Sequence, residues 1–230
     1  MRFKRLEALI GSTNLSLLHQ KTVMICGIGG VGSFAAEALA RSGIGHLILV
    51  DNDVVDITNI NRQIIALEST IGLPKVEVMA NRIIDINPEA IVTHYQLFID
   101  ELTIDSILDQ RIDFVIDAID SVASKCLLIT TCIQKNIPSI SSMGFALKLH
   151  PEKLELTTLD KTEMDPLAKE IRYRLRHANV SLKVPVVYSK EQPIKSQIDN
   201  IKLGSSAFVP PSAGLMLASY VINQMISEVK

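Results

Sequence analysis

Two stretches of this chain carry residue types suited to phosphate chemistry. Gly27-Ile28-Gly29-Gly30-Val31-Gly32 follows the apolar run Val23–Cys26, and Asn59-Ile60-Asn61-Arg62-Gln63 follows the next apolar run, His46–Val50. A glycine loop between a strand and a helix brings backbone close to phosphate oxygens, and the helix offers its first N–H groups to the anion. Gly27, Gly29, Gly30 and Gly32 are the candidate contacts. Asp51 ends the second run, 19 residues beyond Gly32, where a carboxylate reaches ribose hydroxyls. The loop and Asp51 do not by themselves separate NAD from ATP. The amides and guanidinium of the second stretch do: a dinucleotide-binding protein has no evident use for them. The pair implies a nucleotide whose phosphates are attacked or displaced. Asp53 and Asp56 read as loop carboxylates.

The elements that must position these groups alternate. Val23–Cys26 is a strand, followed by a helix from Gly30 to about Ser42, with Phe34, Ala35, Ala38 and Leu39 as its apolar stripe. His46–Val50 is a strand, and Pro74 opens a helix from Lys75 to Ile86 that closes at Asn87-Pro88. Strands at Ile91–Tyr95 and Phe114–Ile116, a helix from Val122 to Lys135, and a strand near Pro138–Ser141 complete the series. This order predicts a doubly wound, Rossmann-like α/β fold with a mostly parallel sheet covered on both faces. After Gly144 the texture changes to a small α+β segment. Ala146–Leu149 and Leu154–Thr158 read as a hairpin. Asp165 caps a helix that has Pro166 at its first position and runs to His177. Val184–Tyr188 reads as a strand, 189–206 as a loop, and Ser212–Ile226 as an apolar helix. The chain is expected to form one domain over 1–230, with a nucleotide-binding core at 1–145 and a substrate-side extension with a terminal helix at 146–230.

The composition excludes several classes. With 47% hydrophobic residues and a mean hydropathy of +0.27, the chain is globular rather than disordered. No apolar run approaches the ~20 residues of a membrane span, and no signal-peptide core follows the N-terminus, so a cytoplasmic location is the expectation. Cys26, Cys126 and Cys132 show neither metal spacing nor a disulfide framework. The net charge of −2 is uneven. Residues 1–150 carry −4, whereas seven basic and two acidic side chains between Lys169 and Lys195 give +5 there. That segment is either a solvated face or a nucleic-acid contact. Arg172 and Arg176, four apart, share a helix face, while Arg174 points elsewhere.

Taken together, Gly27–Gly32, Asp51, Asn59 with Asn61-Arg62-Gln63, Lys75 and Asp117-Ala118-Ile119-Asp120 resemble the adenylating family of ubiquitin-activating enzymes and their bacterial relatives of molybdopterin and thiamine synthesis. The resemblance covers roughly residues 20–145. It implies that Asp51 holds ribose, that Asn59, Arg62, Gln63 and Lys75 hold the triphosphate of ATP beside Ser121, and that Asp120 binds Mg²⁺. It also implies that Arg5, in Arg2-Phe3-Lys4-Arg5, reaches across a homodimer to the partner's phosphates. Arg62, Lys75, Asp120 and Arg5 are thereby the implied catalytic set, with Arg62 and Lys75 expected to be polar and accessible. Positive charge at Arg62, Lys75 and Mg²⁺ suits displacement of pyrophosphate.

The chain lacks the paired Cys-x-x-Cys motifs of zinc-bearing members, and no cysteine follows Cys132, so a thiol relay is not expected. Ala40–Gly45, Lys125, Asp165-Pro166-Leu167-Ala168 with Arg172, Arg174 and Arg176, Val184–Ser189 and Gly204–Pro210 are similar to the branch that cyclises N6-threonylcarbamoyladenosine in tRNA. That implies an acyl-adenylate and tRNA as partner, with Lys169, Arg172 and Arg176 as candidate RNA contacts. The family also allows sulfur-transfer partner proteins. Activation of a small sulfur-carrier protein, an NAD-dependent oxidoreductase and a non-catalytic nucleotide sensor are the competing readings.

Overall fold

The computed structural model describes residues 1–199 and 203–227. Four-residue apolar runs with no polar interruption, 23–26 and 47–50, form strands buried on both faces. They are β1 (Thr22–Cys26) and β2 (His46–Val50), joined by β3 (Ile91–Tyr95), β4 (Phe114–Asp117) and β5 (Ser139–Ser142). β6 (Leu154–Thr158) and β7 (Pro185–Ser189) extend the same sheet, whose order is β3-β2-β1-β4-β5-β7-β6. All neighbours pair in parallel except β6 with β7. Side chains alternate between faces with period two. Val23, Ile25, Leu47 and Leu49 enter one core, and Met24, Cys26, Ile48 and Val50 enter another.

The first core lies under α3 (Gly32–Arg41), α4 (Lys75–Ile86) and α8 (Val209–Ser227). The second core lies under α5 (Ile104–Leu108) and α6 (Val122–Gln134). A third cluster joins α6 to α7 (Pro166–His177). The order of strand addition reverses between β1 and β4, which run parallel, and the loops after these two strands part there. This is the switch point at which open α/β sheets bind ligands.

Three features depart from the sequence expectations. Two short helices precede the sheet, α1 (Lys4–Ile10) and α2 (Ser12–Leu18), and α5 was not foreseen. Ala146–Leu149 is not a strand. Leu154–Thr158 pairs instead with Pro185–Ser189, and Leu147 adopts φ 60°, which an extended strand does not permit. The N–H groups of the 144–150 turn find partners elsewhere. Leu147 donates to the Gly204 carbonyl at 2.8 Å, and Leu149 to the Glu191 carboxylate at 3.0 Å. The loop expected over 189–206 begins after β7, and its residues 200–202 lie outside the described residues.

Candidate active site

The glycine loop is fixed from within. A Cβ on Gly32 would sit 1.7 Å from the Gly27 carbonyl oxygen, and Gly27 has φ +89° beside the backbone of Ala118. Neither position tolerates a side chain. Gly29 differs: a Cβ there would meet only Gln63, at 3.7 Å, and would otherwise project into open space. That space is a cleft of about 600 Å³, lined by Gly27, Gly29 and Gly30 on one side and by Ala118–Ser121 on the other. Gly32 stands behind it as the first residue of α3.

Asp51, at the end of β2, ties the loop to the sheet. Its carboxylate accepts from the Ile28 N–H at 2.5 Å and the Asp53 N–H at 2.8 Å. Burial raises its pKa above the ordinary carboxylate value, and Lys75 and these N–H groups oppose the rise. Asn59, Arg62, Gln63 and Lys75 line the same cleft. Asn59 is buried, its Oδ1 accepting from the Asp56 N–H at 3.2 Å. Arg62 is half-buried and donates to the Thr58 carbonyl at 2.8 Å and Asn61 Oδ1 at 2.9 Å. Gln63 is buried, and its Oε1 has no hydrogen-bond partner among the described residues. An orphaned polar atom in a cleft wall calls for a ligand or water.

Lys75 corrects one expectation. It is buried rather than accessible, and its Nζ lies 2.7 Å from Asp53 Oδ2. Pro74 turns the chain so that the first residue of α4 points inward, and the exposed Asp53 carboxylate compensates the ammonium. Asp53 is therefore more than a loop carboxylate, whereas Asp56 does what such a residue does and caps a turn through the Thr58 N–H at 2.8 Å.

Asp120 is exposed at the opposite lip, and Ser121 caps α6 by accepting from the Ser124 N–H at 3.5 Å. Beneath them lies a buried network. Lys125 Nζ donates to Asp117 Oδ2 at 2.7 Å, Ser141 Oγ at 3.2 Å and the Ser142 carbonyl at 2.9 Å, and Ser141 Oγ donates to the same Asp117 oxygen at 2.5 Å. All three ammonium protons are used, which is the condition for burying such a pair. The network locks the ends of β4 and β5, from which the Asp120 loop departs. The pairing of Asp117 with Lys125 was not foreseen, although an isolated lysine in an apolar helix one strand-end away from an aspartate is a usable signal.

Beyond Asp120 the cleft continues along Gly144–Lys148, Pro166, Leu167, Pro193 and Leu203. Lys148 is buried there. Burial lowers its pKa, and Asp165 opposes that shift. Asp165 caps α7 as expected, through the Ala168 N–H at 2.9 Å.

The remaining candidates lie outside the cleft lining. Arg5 is exposed on α1. Lys169 and Arg176 are exposed on α7. Arg172 is half-buried and hydrogen-bonded to Thr162, and Arg174 pairs with Glu170 at 2.7 Å. The three cysteines sit in strand or helix away from the cleft, and burial pushes all three thiols up, Cys132 to about 12. Among the described residues no helix is long and apolar enough to cross a membrane.

The tRNA threonylcarbamoyladenosine dehydratase of Bacillus subtilis is 43% identical over 244 residues, covering 100% of this chain and 96% of that protein. The Escherichia coli protein of the same name is 42% identical over 252 residues, covering 99% and 94%. The crystal structure of E. coli tRNA N6-threonylcarbamoyladenosine dehydratase in complex with ATP superposes with a TM-score of 0.93 at 37% identity, covering 99% of this chain and 95% of that one. The ThiF family model matches residues 3–153, the stretch that holds the glycine loop, Arg62, Lys75 and Asp120, and the chain belongs to the ThiF family.

Proposed function

We propose that this chain is an ATP-dependent tRNA threonylcarbamoyladenosine dehydratase acting as a single adenylating unit over 1–230. The observation that carries the reading is the convergence of Arg62, Lys75 and Asp120 on one cleft with the glycine loop. The full-length likeness to dehydratases, one of them crystallised with ATP, directs that chemistry to tRNA.

The glycine loop fits the phosphates of a nucleotide, the orphaned Gln63 Oε1 accepts from a hydroxyl or amino group of the ligand or from water, and Asp51 accepts from the ribose hydroxyls. The substrate carboxylate attacks the α-phosphorus of ATP, a P–O bond breaks, and pyrophosphate leaves. Arg62 and Lys75 hold positive charge where the leaving group gains negative charge. Lys75 waits for that charge on Asp53. A nitrogen of the same modified base then attacks the acyl carbon, loses its proton and expels AMP, so the elements of water leave the substrate by way of ATP. The nucleophile is tethered to the electrophile, and proximity replaces an enzyme thiol. This agrees with three thiols whose pKa burial raises. Asp120 fits Mg²⁺ as a single carboxylate supplementing phosphate oxygens, the usual arrangement for this ion. When bound, Mg²⁺ supplies further neutralisation of the triphosphate.

Two features support partners. Ile57, Leu67 and Leu73 are exposed apolar side chains on the 57–73 segment beside the cleft, a surface suited to a second copy, from which the partner's Arg5 reaches the phosphates. Lys169 and Arg176, exposed on the helix whose first turn lines the cleft, contact the tRNA backbone in this reading.

The test is pyrophosphate release from ATP and Mg²⁺ with tRNA carrying N6-threonylcarbamoyladenosine, with unmodified tRNA, and with a small sulfur-carrier protein. Release with the modified tRNA alone is the expected outcome. Release only with the carrier protein, or a thermal shift with NAD and none with ATP, overturns the reading.

A further inference from the structure

The glycine-loop half of the cleft accounts for a nucleotide, and the half beyond Asp120 is left for another group. Its wall is the 144–148 turn. Leu147 holds φ 60° there, a conformation costly for a bulky side chain, and such strain persists only where the surroundings over-determine it. They do. The Leu147 N–H donates to the Gly204 carbonyl at 2.8 Å, and its carbonyl accepts from the Ile194 N–H at 2.9 Å. The neighbouring Lys148 ammonium is buried and donates to the Ser189 carbonyl at 3.0 Å, with Asp165 Oδ2 at 3.5 Å. Asp165 also accepts the Gly144 N–H at 3.0 Å, and the buried Glu191 accepts the N–H groups of Leu149 at 3.0 Å and His150 at 2.9 Å. Two buried carboxylates and one buried ammonium thus hold a strained turn. Well-packed apolar residues would stabilise the fold as well or better, so what the cluster supplies is a fixed shape.

We propose that this compartment is the acceptor pocket: it takes the planar modified purine whose N6 substituent carries the carboxylate, with Leu147 and Leu167 as walls and the Lys148–Asp165 pair as the positioning device. The inference rests on the tRNA reading above. Leu147, Leu167, Pro193 and Leu203 present apolar surface, which suits an aromatic ring. The pocket is continuous with the nucleotide half, so a carboxylate on a short arm reaches from one to the other. Lys148 acts through Leu147 and Asp165 and does not itself react.

The test uses the full chain with Leu167→Trp, which fills the compartment from the exposed start of α7. It adds Leu147→Gly, which accepts φ 60° without strain, and the pair Lys148→Met and Lys148→Arg. ATP affinity is measured by titration, and kcat and KM by pyrophosphate release with tRNA carrying N6-threonylcarbamoyladenosine. Binding of the free modified nucleoside in the presence of ATP is measured separately. Leu167→Trp is expected to keep ATP affinity within about twofold while kcat/KM for modified tRNA falls about a hundredfold, the scale of a misplaced reactant. Leu147→Gly raises KM for tRNA with ATP affinity unchanged. Lys148→Met lowers kcat, and Lys148→Arg restores part of it. Wild-type kcat/KM and nucleoside affinity in Leu167→Trp and Leu147→Gly overturn the pocket, whether or not Lys148→Met folds. A wild-type protein that releases pyrophosphate only with the carrier protein overturns the tRNA reading instead.

Discussion

Lys125→Met separates the structural base of the site from its chemistry. Lys125 is wholly buried, and its ammonium gives three hydrogen bonds, one of them to the equally buried Asp117. Methionine has nearly the same length and volume, so the change leaves little cavity and mainly removes charge. Asp117 then keeps only the Ile119 N–H at 3.1 Å and the Ser141 hydroxyl as donors, with no cation beside it. Removing one partner of a buried pair costs about 3–5 kcal/mol, because the other charge stays desolvated. For a chain of this size each kcal/mol is roughly 2–4 °C in melting temperature, so a fall of about 6–20 °C is expected. The Asp117→Asn/Lys125→Met variant removes the stranded charge as well. Its loss should be smaller than that of Lys125→Met alone, giving a favourable coupling energy in a double-mutant cycle. Thermal and denaturant unfolding of the four proteins measure it. A loss below about 1 kcal/mol in Lys125→Met, or a double variant that simply adds the two single losses, refutes the argument that charge desolvation dominates here.

Arg62→Ala and Lys75→Ala should each slow pyrophosphate release by about 10²–10³, the usual loss for one preorganised donor. Lys75→Ala should cost stability only slightly in a thermal melt, since the Asp53 side chain it strands is 56% exposed. ATP affinity should rise with pH through the raised pKa of Asp51, because ribose hydroxyls donate to the ionised form, and Asp51→Asn should flatten that rise in a titration series. The linked stability has the opposite sign: the folded protein binds the Asp51 proton more tightly, so this contribution is lost as pH climbs from the unfolded value near 3.8 through the raised one. Replacing Cys26, Cys126 and Cys132 together by Ala should leave turnover of the folded protein largely intact, and an abolished turnover would restore a thiol mechanism. Charge reversal at Lys169 and Arg176 should lower the slope of log tRNA affinity against log salt by about 0.7–0.9 per lost contact. Arg172→Glu should instead show first as lost stability, since it breaks the bond to Thr162.

The glycine-loop half of the candidate site was legible as a cleft lining because its parts are local. A strand, a glycine turn and a helix follow one another in sequence, and Asp51 stands at the end of the adjacent strand. Period-two burial turns continuous apolar runs into buried parallel strands, so the sheet could be read from Val23–Cys26, His46–Val50 and Phe114–Ile116. α1 and α2 were not legible. They are seven residues each, and only Leu15 and Leu18 are buried in them, too few for a helical stripe to stand out. The burial of Lys75 was missed for another reason. A lysine in the first turn of a helix is usually solvated, and only the path of residues 51–53 brings Asp53 to it.

The far half of the cleft shows where such reading stops. Ala146–Leu149 alternates like a strand, yet its backbone partners are Glu191, Ile194, Gly204 and Ser206, which lie up to 58 residues downstream of the groups they hold. No local pattern announces that convergence, and Lys148 between two leucines reads as an ordinary surface lysine in a strand. The two halves therefore depend on sequence differently. Activation of a carboxylate needs a charged cradle that a contiguous strand–loop–helix unit and a few following side chains supply. The choice of which carboxylate enters depends on a turn whose shape is set by long-range buried charge. A chain can keep the first intact while the second is rebuilt, so substitutions at Asp165, Lys148 or Glu191 should alter acceptor selection before they alter ATP binding.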